Sequence, residues 1–155
     1  MPSENLSPSR LVLDTNIVLD WLVFHDSATR DLAAAIEARR VRALVHQHAL
    51  DELERVLAYP QCHLAATAQL QVLDRYRAVA AVTSMPDGYS RDDLLLPPHF
   101  PRCRDRDDET FLALAYHARA DGLVTKDKAV LKLRKKARRF AVAILTLADL
   151  PLFQP

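Results

Sequence analysis

The sequence predicts an α/β domain in which a mainly parallel, five-stranded sheet is covered by helices on both faces. Three observations lead there. Short β-like runs alternate with helix-length segments along most of the chain. The runs are filled by Val, Leu and Ala without polar alternation, as in strands buried on both sides. The chain has 155 residues, half of them hydrophobic, which is enough for one domain with a substantial core.

The elements follow in order. Residues 1–9 are polar and read as a flexible arm without the apolar stretch of a signal peptide, so the domain proper is expected over 10–150. A strand at 10–13 is followed at once by a helix over 16–25, whose apolar residues Ile17, Val18, Trp21 and Leu22 keep helical spacing. Helix 28–40 and strand 42–46 come next. Helix 47–59 carries the apolar stripe Ala49, Leu50, Leu53, Val56 and Leu57. Helix 62–78 and strand 80–83 precede a stretch, 85–104, with Pro86, Pro97, Pro98, Pro101 and Gly88, which reads as a long surface loop. Helix 107–120, strand 122–125, helix 127–138 and strand 141–145 complete the alternation, and 151–155 is a tail.

Composition excludes several functions. Lys plus Arg is 21 and Asp plus Glu is 20, so polyanion binding must come from local patches. No run approaches the roughly 20 apolar residues of a membrane span. The two glycines, Gly88 and Gly122, cannot build a dinucleotide or Walker-type phosphate loop. Cys62 and Cys103 stand in no metal-ligand spacing, which fits a reduced, cytoplasmic protein.

In parallel α/β sheets, ligands bind beyond the carboxyl ends of the strands. Polar groups there are the ones to inspect. Asp14 directly follows the first strand and Asp127 follows the fourth, although either also suits an ordinary helix N-cap. In "DRDDETFLALA" the stripe Phe111, Leu112, Ala115 and Ala118 places Asp108 within about 20° of its middle. Asp107 lies near the edge of that stripe and Glu109 well outside it. A cap for its own helix is the alternative for Asp108. On helix 47–59 Asp51 faces solvent, while Glu52 and Glu54 flank the apolar stripe on either side. Several carboxylates at one place repel, and a hard divalent cation with all-oxygen ligation, Mg²⁺ or Mn²⁺, resolves that. The absence of His and Cys from the set argues against zinc.

The stretches "LVLDTNIVLDWL", "ALDELERVL", "DRDDETFLALA" and "DGLVTKDKAVL" resemble, in order and spacing, the four acidic motifs of PIN-domain nucleases. The nearest likeness is to bacterial members that are toxin components of toxin–antitoxin systems. It runs from about Leu11 to Leu147. The resemblance implies a Rossmann-like three-layer α/β/α sandwich and a Mg²⁺- or Mn²⁺-dependent endoribonuclease. It implies RNA as substrate, an antitoxin protein as partner, and homodimers. By motif the acids are Asp14, Glu52, Asp108 and Asp127, as catalytic and metal-binding residues. Asn16 and Thr125 match the polar positions beside them, and Asp105 matches a frequent extra acid, with an Asp105–Asp108 capping box as the alternative.

The segment "TKDKAVLKLRKKARRF" supplies Lys126, Lys128, Lys132 and Arg134 as candidates for RNA phosphates; a solvated helix face is the plainer reading. Tyr89, His99 and Phe100 are candidates for base stacking, or for loop packing. A haloacid-dehalogenase-type phosphatase needs an acid where Asn16 stands, and a phosphoacceptor receiver would lack the Glu52–Asp127 pair. Within the resemblance, a non-cleaving RNA- or partner-binding module and a processing or DNA-directed nuclease stay open.

Overall fold

A computed structural model describes residues 7–150; the expected tail and most of the expected arm lie outside them. Five parallel strands form one sheet in the order β3-β2-β1-β4-β5. They are β1 (Ser9–Leu13), β2 (Val41–Val45), β3 (Ala80–Val82), β4 (Gly122–Val124) and β5 (Ile144–Leu145). Ser9, expected in the arm, already belongs to β1. The central strand β1 buries Leu11, Val12 and Leu13 alike. Successive side chains of a strand point to opposite faces, so both faces of the sheet are covered.

The helices are α1 (Thr15–Leu22), α2 (Arg30–Glu37), α3 (Gln47–Leu57), α4 (Ala66–Val79), α5 (Arg106–His117), α6 (Lys128–Leu131) and α7 (Arg134–Arg138). Two differ from expectation. The helix expected over 127–138 is two short pieces with a turn at Lys132–Leu133, and Arg134 there turns its Nε onto the Ile144 carbonyl at 2.8 Å. The helix expected from 62 starts at Ala66, because His63 takes a left-handed backbone (φ 52°) after a 3₁₀ turn at Pro60–Cys62. Among the described residues no helix is long and apolar enough to cross a membrane.

Helix α5 departs from the single-stripe pattern. Every residue from Glu109 to Ala115 is buried. The reason is the loop between β3 and α5, which lies across the outer side of the helix. The His117 Nε2 meets the Leu94 carbonyl at 2.8 Å, and Phe100 packs between Tyr116 and Phe140 at ring-centre distances of 5.5 and 5.1 Å. Proline favours such an extended covering segment, since it has no N–H to leave unsatisfied. The helical periodicity could not show this, because it assumes water on the side away from the sheet.

Scarcity of glycine leaves a mark at helix ends. Arg39, Arg119 and Ala141 hold left-handed backbones at φ 60°, 50° and 60°. Each is followed by an N–H that reaches back to close the helix: Arg40 to Ala35 O, Ala120 to Ala115 O, Val142 to Ala137 O, at 2.9, 3.0 and 3.1 Å. That is the end motif glycine normally fills. The left-handed backbone costs a residue with a Cβ about 1–2 kcal/mol, and glycine returns part of the gain as unfolded-state entropy, about 0.4–1 kcal/mol. Arg39→Gly and Ala141→Gly are each expected to stabilise the protein by roughly 0.5 kcal/mol. A urea midpoint raised at unchanged slope supports this; an unchanged or lowered midpoint refutes it.

Candidate functional site

Asp14 stands one residue beyond β1, where its N–H still pairs with the Val124 carbonyl of β4 at 3.1 Å. Only 5% of it is exposed. Its Oδ1 accepts the Asn16 N–H at 3.1 Å, capping α1, and its Oδ2 accepts the Thr125 hydroxyl at 2.8 Å. Cap and site are therefore the same residue. Burial raises its pKa above the usual carboxylate range, and the two hydrogen bonds work against that rise.

Thr125, buried at the end of β4, links two acids. Its hydroxyl proton goes to Asp14, and its oxygen accepts the Asp127 N–H at 3.1 Å. Asp127 is half-buried and caps α6 through the Ala129 N–H at 2.7 Å. Asp108, half-buried in the first turn of α5, has its Oδ2 at 3.9 Å from the Cys103 thiol. Burial and then Asp14, Asp105, Asp127 and Glu52 push its pKa up to about 7. Glu52 on α3 is also raised to about 7, by burial, then Asp107 and Asp14. Asp108 thus feels the other three, Asp14 feels Asp127, and Glu52 feels Asp14. The structure brings Asp14, Glu52, Asp108 and Asp127 into one electrostatic site at the carboxyl ends of β1 and β4.

It also settles two choices. Glu54 is exposed, and Glu52, reached by the Thr15 hydroxyl at 3.4 Å, is the α3 acid that faces the cluster. Asp105 caps α5 through the Asp107 N–H at 2.9 Å, and Asp108 returns no bond to it. Three expectations need correction. Asn16 serves Asp14 with its main-chain N–H, and its side chain lies exposed. Arg134 is turned away, bracing β5 and Asp149, whereas Lys128 and Lys132 are exposed and Lys126, also exposed, pairs with Asp20 at 2.6 Å. Glu109, expected to face outward, is 5% exposed and meets Arg102 at 3.1 Å.

Two contributors escaped sequence reasoning. Thr15 sits inside the Asp-Thr-Asn motif. His46, 2% exposed, ends β2 and caps α3: its Nδ1 accepts the Ala49 N–H at 3.2 Å. Its Nε2 must then carry the proton and donate to the Thr110 carbonyl at 3.2 Å. It thereby ties α3, which carries Glu52, to α5, which carries Asp108. Burial lowers its pKa to about 4. Both ring nitrogens are engaged, so it ligates nothing.

The donor set suits a hard divalent cation in kind: oxygen only, several carboxylates, and among the described residues no ion pair to any of the four. Among those residues no three His, Cys, Asp or Glu side chains already stand within common reach of one ion. The sequence matches the family model of the PIN domain over residues 10–129. No curated protein matches it.

Proposed function

The chain belongs to the PIN-domain family, and from that premise we propose that it is a Mg²⁺- or Mn²⁺-dependent endoribonuclease, acting as the toxin of a toxin–antitoxin pair. PIN domains are in general metal-dependent nucleases. The observation that supports a metal site is the gathering of Asp14, Glu52 and Asp127 around Asp108, none of the four in an ion pair among the described residues. The RNA and toxin assignments rest on the likeness of the four motifs.

Asp14, Asp108, Asp127 and Glu52 would hold the cation. When bound, it supplies positive charge against the scissile phosphate and lowers the pKa of the attacking water. The chain's own groups do the rest. Thr125 and the Asn16 N–H fix Asp14 in one rotamer. The Thr15 hydroxyl orients Glu52, and His46 keeps α3 and α5 in register. These are the supporting contacts that such a site needs.

The test is cleavage of a structured RNA pool with Mg²⁺, Mn²⁺ or EDTA, beside melting curves. Cleavage is expected only with metal. With an affinity near millimolar, 10 mM Mn²⁺ should stabilise the fold by roughly 1.4 kcal/mol, a rise in Tm of about 4 °C. Cutting in EDTA would sink the metal mechanism. Binding of RNA without cutting would make the chain a binding module, and cutting of DNA alone would overturn the ribonuclease assignment.

A further inference from the structure

Glu109 and Arg102 take no part in the acidic cluster, yet they form an ion pair beside it, and Glu109 is the most buried acid in any ion pair among the described residues. The Glu109 side chain is 7% exposed, whereas that of Arg102 is 78% exposed. The contact runs through the Arg102 Nε at 3.1 Å from Glu109 Oε2. One edge of the guanidinium is thus fixed by a buried acid. Its Nη edge is left facing water. An arginine held in this way is preorganised to take a phosphate, because little side-chain freedom remains to be lost.

Its position in the chain matters as much. Cys103, the next residue, is buried with its sulfur 3.9 Å from the Asp108 carboxylate. Residues 101 to 104 alternate inward and outward: Pro101 and Cys103 are buried, Arg102 and Arg104 exposed. The loop therefore forms the lip of the acidic site and turns its arginines to solvent. Behind that lip lies a cleft of about 400 Å³ walled by Leu96, Pro98, His99 and Arg102, where Arg106 faces Asp92 at 3.8 Å. That volume is within the range of small-molecule sites, about 300–1,000 Å³. Tyr89 and Phe100 pack inward, Tyr89 against His117 and Phe100 against Tyr116, which leaves His99 as the exposed ring on the rim. Proline, leucine and an imidazole offer a wall to a base, and the outer edge of Arg102 offers charge to its phosphate.

We infer that Arg102, anchored by Glu109, holds an RNA phosphate next to the scissile one, and that the cleft behind it receives the flanking nucleotide of a single strand. This rests on the endoribonuclease reading. It moves the substrate path from α6 and α7 to the loop before α5.

The experiment is equilibrium binding of a fluorescein-labelled single-stranded RNA in Ca²⁺ across a salt series, followed by steady-state cleavage in Mn²⁺. The proteins are wild type, R102Q, R102K, E109Q, R102Q/E109Q and K128Q/K132Q. R102Q is expected to weaken binding about tenfold and to reduce the salt slope by about 0.7, one phosphate contact on a single strand. It should raise KM and leave kcat largely intact, with R102K restoring part of the loss. The double variant R102Q/E109Q should bind no worse than R102Q, since Glu109 acts through Arg102. Wild-type binding with R102Q unchanged and K128Q/K132Q impaired would overturn the inference and return the strand to α6. A wild type that neither binds nor cuts RNA would overturn the endoribonuclease reading itself, and the inference with it. Melting curves on each variant separate these outcomes from misfolding, and E109Q keeps an acceptor for the Arg102 Nε.

Discussion

Asp108→Asn and Asp14→Asn are each expected to reduce Mn²⁺-dependent RNA cleavage at least about a hundredfold, since even contacts behind a metal ligand are worth 10–100-fold. The same Asp108→Asn change should raise the Tm of the metal-free protein. Asp108 titrates near 7 because burial and four neighbouring carboxylates disfavour its charge. Asparagine keeps the shape and removes the repulsion. The increase in Tm that Mn²⁺ gives the wild type should vanish in the variant. Activity and metal-free stability therefore move in opposite directions at this residue, the signature of a site held for function. Retained cleavage by Asp108→Asn, or a lowered metal-free Tm with normal cleavage, would remove Asp108 from the proposed cluster.

The second large effect concerns His46. His46→Ala should destabilise the protein by about 3 kcal/mol, combining a lost helix cap with an unpaired Thr110 carbonyl and a small cavity. The pH dependence carries more information. His46 has a folded pKa of about 4 against 6.5 for a free histidine. The unfolded chain therefore takes up the proton first, and stability falls as pH drops from 6.5 towards 4, by roughly 3 kcal/mol in full. Glu52 and Asp108 have the opposite sign. Their folded pKa values, about 7, lie above the ordinary 4.5 and 3.8, so the folded state holds the extra protons. Their contribution to stability rises as pH falls from 7 to about 4.5. In EDTA the two trends oppose, the two carboxylates outweigh the one histidine, and the wild type should still gain stability from pH 7 to 5, less steeply than a variant without His46. His46→Asn, which can still cap α3, should grow more stable on acidification over that range. Mn²⁺ should reverse the carboxylate trend, because the cation holds them ionised. A His46→Asn profile that parallels the wild type would refute this account.

Much of the architecture was legible because the strands are uniformly apolar and end abruptly. Arg10 to Leu13 stops at an acid, and Gly122 to Val124 stops at Thr125, so the strand ends and the polar site announce each other. All five strands fall within a residue or three of where the periodicity places them. The four acids could be found but not ranked, since an N-cap and a metal ligand ask for the same residue at the same place. Asp14 and Asp127 turn out to be caps as well. What stayed illegible depended on the long loop. Glu109 lies well outside the apolar stripe because a helix wheel knows only one core, and here a second surface, the covering loop, buries the other side of the helix. The His46 contact to Thr110 spans 64 residues and leaves no local signal beyond a histidine at a strand end.

The strand order carries a consequence for how the molecule is made. β1, β2 and β3 pair with their neighbours in sequence, so that half of the sheet can form from a partial chain. β4 inserts on the opposite side of β1, and the Thr125–Asp14 bond closes a separation of 111 residues. Closure over such distances is slow and comes late in folding. During synthesis the first acid emerges long before the last strand that completes its surroundings. A chain stopped before Thr125 lacks both the hydroxyl that holds Asp14 and the fourth acid, Asp127, so the acidic cluster is complete only when synthesis is nearly done.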